Sequence, residues 1–140
     1  MPTGANTVAN VSTTKGVAGG YFFSAPSTAT VPTDYSTALG SEFVNLGFIS
    51  EDGVTESIET DAETLGDMNG DAVFTASSSR TETITMTLIE VKEAALKEIY
   101  GQSMVTTATG GDMTVKHGGH DNPNRIYVLE LVLRDGRKWR

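Results

Sequence analysis

The sequence predicts a predominantly β fold with a single helix, and three observations carry that reading. Twenty Thr and fifteen Gly make up a quarter of the 140 residues, a mixture poor for helices and suited to strands and turns. Asp-Gly or Asn-Gly pairs stand at 52–53, 69–70 and 135–136 between apolar stretches, where glycine supplies the positive φ of a tight reversal. Only one segment, EVKEAALKEIYG at 90–101, has a helical period, with Val91, Ala95 and Ile99 at i, i+4, i+8 and Gly101 as its stop.

Taken in order, residues 1–15 are rich in Thr, Asn, Ala and Gly without periodicity and form an N-terminal arm. GVAGGYFFS (16–24) predicts a first strand, with Gly19 and Gly20 marking a bulge or a close backbone approach. Residues 24–41 hold Pro26 and Pro32 among Ser and Thr and predict a long extended loop. FVNLGFIS (43–50) and VTESIETDAETL (54–65) flank Glu51-Asp52-Gly53, which predicts a hairpin. A second turn at Met68–Asp71 and a third at Ser77–Ser79 extend this into a meander through AVFTAS and TETITMTLIE.

After the helix the chain is Gly-rich around a short strand, Met113–Lys116. RIYVLELVLR (125–134) is apolar on both faces and predicts a strand covered on both sides. The turn at Asp135-Gly136 leaves a returning strand of only Lys138, Trp139 and Arg140. An unpaired apolar edge at 125–134 is then expected, and with it a parent sequence that continues further. The length fits one β domain over 16–140.

Eighteen acidic against ten basic residues give a net charge of -8 and a pI near 4.6, the wrong sign for gripping phosphate backbones. The chain lacks cysteine and has two His, which excludes disulfide frameworks, thiolate nucleophiles and cysteine-based zinc sites. No apolar run approaches the roughly 20 residues of a membrane helix, and the start lacks the pattern of a signal peptide. No nucleophile elbow, phosphate loop or paired-histidine helix is present, so neither enzymatic activity nor a cofactor is expected. His117, His120 and Asp121 are the one metal-like cluster. Two solvated histidines in a Gly loop explain them without a fourth ligand.

Charge placement is more informative. From Gly16 to Ser79 there are ten carboxylates and no Lys or Arg. On a strand over 54–65, Glu59, Asp61 and Glu63 share one face by period two. That face is either functional or simply solvated. Thr81, Thr83, Thr85 and Thr87 form a second wet face with the same two readings. Arg134, Arg137, Lys138 and Arg140 make the end basic. Acidic-early and basic-late polarity suits head-to-tail self-association, or serves solubility alone.

Taken together, GVAGGYFFSAP with its Thr/Pro loop, FVNLGFISEDGVTESIE, TETITMTLIE and LKEIYG resemble the major tail tube proteins of long-tailed, non-contractile bacteriophages. The resemblance implies an antiparallel β-sandwich or partial barrel with one flanking helix at about 90–100, and inner strands that join neighbours into a ring barrel. It further implies stacked hexameric rings in the virion tail, made in the host bacterial cytoplasm. The partners would be tail-tip initiator, tape-measure and terminator proteins, and DNA would pass without sticking during ejection. Family members commonly run past the point where this sequence stops. The resemblance makes Glu59, Asp61 and Glu63, or Thr81, Thr83, Thr85 and Thr87, the expected lumen lining. Lys15, Pro26, Pro32, Glu51, Asp52, Gly53, Arg134, Arg137 and Arg140 are the expected subunit and ring contacts, with the arm, loop and 51–54 region ordering on assembly. The alternative is a β-sandwich binding module for carbohydrate or protein on a virion or cell surface, disfavoured by scarce aromatics. A hydrolase with paired carboxylates has no supporting spacing.

Overall fold

The computed structural model describes residues 4–8, 11–119 and 122–140. The chain is mainly β, with strands β1 (Thr14–Gly16), β2 (Phe22–Pro26), β3 (Val44–Asn45), β4 (Ile49–Gly66) and β5 (Ala72–Leu88) before helix α1 (Glu93–Tyr100). Strands β6 (Val105–Thr107), β7 (Met113–Val115), β8 (Arg125–Leu129), β9 (Leu131–Leu133) and β10 (Lys138–Trp139) follow it. Two compact units result, a body of residues 1–48 and 88–140 and a hairpin of residues 49–87.

In the body, one sheet has the order β1-β9-β10 and another β3-β2-β8. Strand β2 runs antiparallel to β8 with Phe22 opposite Leu129 and Pro26 opposite Arg125. Strand β9 lies between β1 and β10, pairing Leu131 with Gly16 on one side and with Trp139 on the other. The core is Phe22, Ala25, Leu46, Ala95, Val105 and Val128, with Ala29 from the loop. The Phe22 ring stacks on Tyr127 at 6.0 Å, an offset aromatic contact that adds to area burial.

Several sequence expectations are corrected here. The strand expected over 125–134 divides at Glu130, whose N–H donates to the Tyr21 carbonyl (2.7 Å) and whose carbonyl accepts from Val17 N–H (3.2 Å). The chain thereby changes partner from β2 to β1. The strand expected over 16–24 divides opposite it, because Gly19 and Gly20 hold positive φ of 91° and 146°. A Cβ on Gly20 would run into the Asn45 side chain, so the expected close approach is present. The unpaired edge expected at 125–134 is filled at β9 by β1 and β10, while β8 keeps an open edge beside β2.

The helix begins at Glu93 and not at Glu90, which leaves Val91 outside it. Of Val91, Ala95 and Ile99 only Ala95 is buried. Eight residues give little more than two turns, too few to bury three points of one stripe. Gly101 closes the helix as expected, at φ 115° and with its N–H donating to the Lys97 carbonyl.

The hairpin is β4 paired with β5. The Glu51–Gly53 turn does not form. Val44–Asn45 is taken by β2 at Phe23 and Ser24, and Gly53 keeps a φ of 74° inside β4 as the kind of left-handed residue that seats a bulge. Nor do Ser77–Ser79 turn. A two-residue reversal needs positive φ, which no non-glycine residue described here adopts. The one reversal is at Asp67–Asp71, where Asp67 N–H donates to the Asp71 carbonyl (2.8 Å) and Gly70 has a φ of 87°.

Candidate functional surface

The hairpin has no core. Its strands have 18 and 17 residues, on the order of 55 Å at 3.3 Å per residue, against the usual 3–10 per strand. No hairpin residue is buried, and Ile58, Leu65, Val73, Phe74 and Ile84 are each more than half exposed. A two-stranded ribbon is marginal in water, and both outer edges of this one are open.

Its charge is equally one-sided. Residues 49–87 carry nine carboxylates and one guanidinium, a net -8. The rest of the chain has nine carboxylates and nine Lys or Arg. The whole formal charge of the protein therefore resides in the hairpin. Its single cation, Arg80, forms an ion pair with Glu82.

Two side-chain contacts fix which residues share a face. Asp61 and Thr64 are three apart and stand on opposite faces of β4, whereas Thr75 and Ser79 are four apart and would share one face of an unbroken β5. Yet Thr64 Oγ1 meets Thr75 Oγ1 (3.1 Å), and Ser79 Oγ donates to the Asp61 carboxylate (3.1 Å). Both hold only if the alternation slips by one residue between them. Ser77 and Ser78, adjacent in sequence, both turn their hydroxyls to the Asp61 carbonyl (3.4 and 3.3 Å) and mark the slip.

Beyond the slip, Thr81, Thr83, Thr85 and Thr87 lie with Ser79 on the face of Glu59, Asp61 and Glu63. The acidic row and the Thr row, read from sequence as alternatives, form one wet anionic face. The opposite face carries Ile58, Ile84, Met86 and Leu88. At the tip, Asp67 accepts from the Asn69 and Asp71 N–H groups (2.8 and 2.9 Å). These bonds, chiefly that from Asp71 N–H, hold its carboxyl below the ordinary 3.8.

The other expected contact residues are scattered over the body and the hairpin base. Lys15 lies in β1 opposite Val132. Pro26 closes β2 and is exposed, and Pro32 is half-buried in the loop. Glu51, Asp52 and Gly53 are exposed along β4. Arg134 N–H donates to Ser12 Oγ (3.1 Å), which fixes the arm near β1 on its own chain. Arg137 is held by Asp135 (2.6 Å). Arg140 is committed internally: it pairs with Glu130, donates to the Asp34 and Thr37 carbonyls (2.5 and 2.8 Å) and lies over the Tyr35 ring. That clasp ties the 24–41 loop to its own body. His117 is exposed, its ring edge-on to Tyr100 at 5.1 Å, while His120 and Asp121 lie outside the described residues. Among the described residues there is no cluster of three or more metal-ligating side chains, and no helix is long and apolar enough to cross a membrane.

Sequence reasoning missed the latch that holds α1 to the β3-β2-β8 sheet. Glu98 accepts from Ser24 Oγ (2.8 Å) and Tyr127 Oη (2.7 Å), with Arg125 Nε 2.7 Å from its Oε1 but not aligned as a hydrogen bond. Arg125 also donates to Ser24 Oγ (3.1 Å). Burial first, then the Glu98 carboxylate, raises the Tyr127 phenol to about 12. An open cavity of about 320 Å³ adjoins the latch, with Ser24, Glu98 and Arg125 in its wall beside Val44, Lys97 and Gln102. The signal available was Arg125, a lone cation heading an otherwise apolar strand.

Comparison with curated proteins and with solved structures returned no match. The profile of the family described as phage tail tube protein matches residues 8–139, spanning the body strands, the hairpin and the helix. The chain belongs to that family and is a structural protein of the phage tail.

Proposed function

We propose that the protein polymerises as stacked hexameric rings into the tail tube, that the β4–β5 hairpins of neighbouring copies pair edge to edge into its inner wall, and that their wet face lines the bore. One observation carries this reading: a hairpin without a core holds the entire net charge, and its acidic and threonine rows coincide on one face. Open strand edges call for partners, and identical copies supply them in register by symmetry.

The mechanism is passive. DNA carries one negative charge per about 1.7 Å of axis, and each inward Lys or Arg would release counterions and create a point of adhesion. A bore of Glu59, Asp61, Glu63 and threonine hydroxyls offers hydration without such points. DNA would then slide through on ejection without being held. The Ile58, Ile84 and Met86 face packs away from the bore. Initiator, tape-measure and terminator proteins would set the start, length and end of the polymer. Electron microscopy of the purified chain tests the proposal: hollow tubes of uniform width are expected, and dispersed subunits that bind glycans instead would overturn it.

A further inference from the structure

We infer that the hairpin carries an electrostatic brake on its own polymerisation, in which the uncompensated carboxylates of the Glu59, Asp61 and Glu63 face hold free copies apart until ions screen them. The inference rests on the edge-to-edge pairing proposed above and adds its regulation. Strands up to 18 residues long with open edges and exposed Ile58, Val73 and Ile84 should associate on contact unless something holds the copies apart. The body offers no restraint, because its charges balance. Within the hairpin, Arg80 pairs with Glu82, across the pleat from the Asp61 face, so no cation offsets that face.

Geometry gives the brake its range. Paired strands lie about 4.8 Å apart, so hairpins repeating side by side bring like carboxylate rows within about 10 Å. The Debye length is about 30 Å at 0.01 M salt, about 10 Å at 0.1 M and about 3 Å at 1 M. Repulsion between rows is therefore felt in full at low ionic strength and nearly abolished at high. Burial of the apolar face is not weakened by the same change.

The test is the rate of tube formation by the full chain, followed by light scattering and microscopy, from about 10 mM to about 1 M NaCl. The rate is expected to rise at least about tenfold. The triple variant E59Q/D61N/E63Q, altered only at exposed positions, is expected to assemble at low salt as fast as the unaltered chain does at high salt, with a flattened dependence. The body variant E42Q/D112N is expected to keep the original dependence. Tubes that form equally fast at every salt concentration, or a triple variant as slow as its parent at low salt, overturn the brake alone. Subunits that stay dispersed at every salt, in parent and triple variant alike, overturn the brake and the pairing together.

Discussion

The body and the hairpin draw on similar residues and are held by opposite means. The body has every buried residue of the described chain, balanced charge and a latched helix. The hairpin has no buried residue, a net charge of -8 and two long open edges. The body buries its own apolar core, whereas the hairpin buries no residue and, in the proposed tube, would gain its stability from neighbouring copies.

Paired truncations break that comparison most sharply. Leu46→Ala removes a fully buried side chain and is expected to cost the subunit about 2–5 kcal/mol. Ile84→Ala, on the exposed hairpin, is expected to change subunit stability by less than about 0.5 kcal/mol while impairing tube formation. Denaturant melts of the subunit and microscopy of the polymer measure the two. Equal losses in subunit stability would erase the distinction.

The latch comes next in size. Glu98→Ala leaves Arg125 nearly buried without its carboxylate and is expected to cost roughly 3 kcal/mol, read by denaturant melts and by faster amide exchange in α1. The pH dependence follows from Tyr127. Its phenol is raised from 10.0 to about 12, so the fold favours the neutral form. That contribution is whole below pH 10.0 and is lost as pH rises to about 12. Thermal melts across that window should show the body loosening, and Tyr127→Phe should remove the effect.

The smallest effect is expected at the hairpin tip. Asp67 is held below its ordinary 3.8 by backbone donors, so its contribution is present above that value and is lost as pH falls through the lowered one. Asp67→Ala should slightly speed amide exchange at the reversal and leave the body unchanged.

Much of this was legible in sequence, and the misreadings have physical causes. Asn69-Gly70 announced the reversal because its flanks are free to pair with one another. Asp52-Gly53 announced one that does not form, because β2 takes Val44–Asn45. Charge segregation was visible along the chain, but its confinement to one coreless unit was not, since an alternating strand looks the same with or without a covered face. The union of the acidic and threonine rows is shown by the Ser79–Asp61 contact across the strands, and three serines carry no signal for the slip beside it. The Glu98–Arg125 latch joins residues far apart in sequence, which only the fold brings together.

A side-chain-resolution reconstruction of the tube by electron cryomicroscopy shows directly which residues line the bore. Hairpins of successive copies are expected to be joined edge to edge, with Glu59, Asp61, Glu63, Thr81, Thr83, Thr85 and Thr87 facing the bore. A bore lined by Lys and Arg, or by body residues with the hairpins turned outward, would contradict the proposed function.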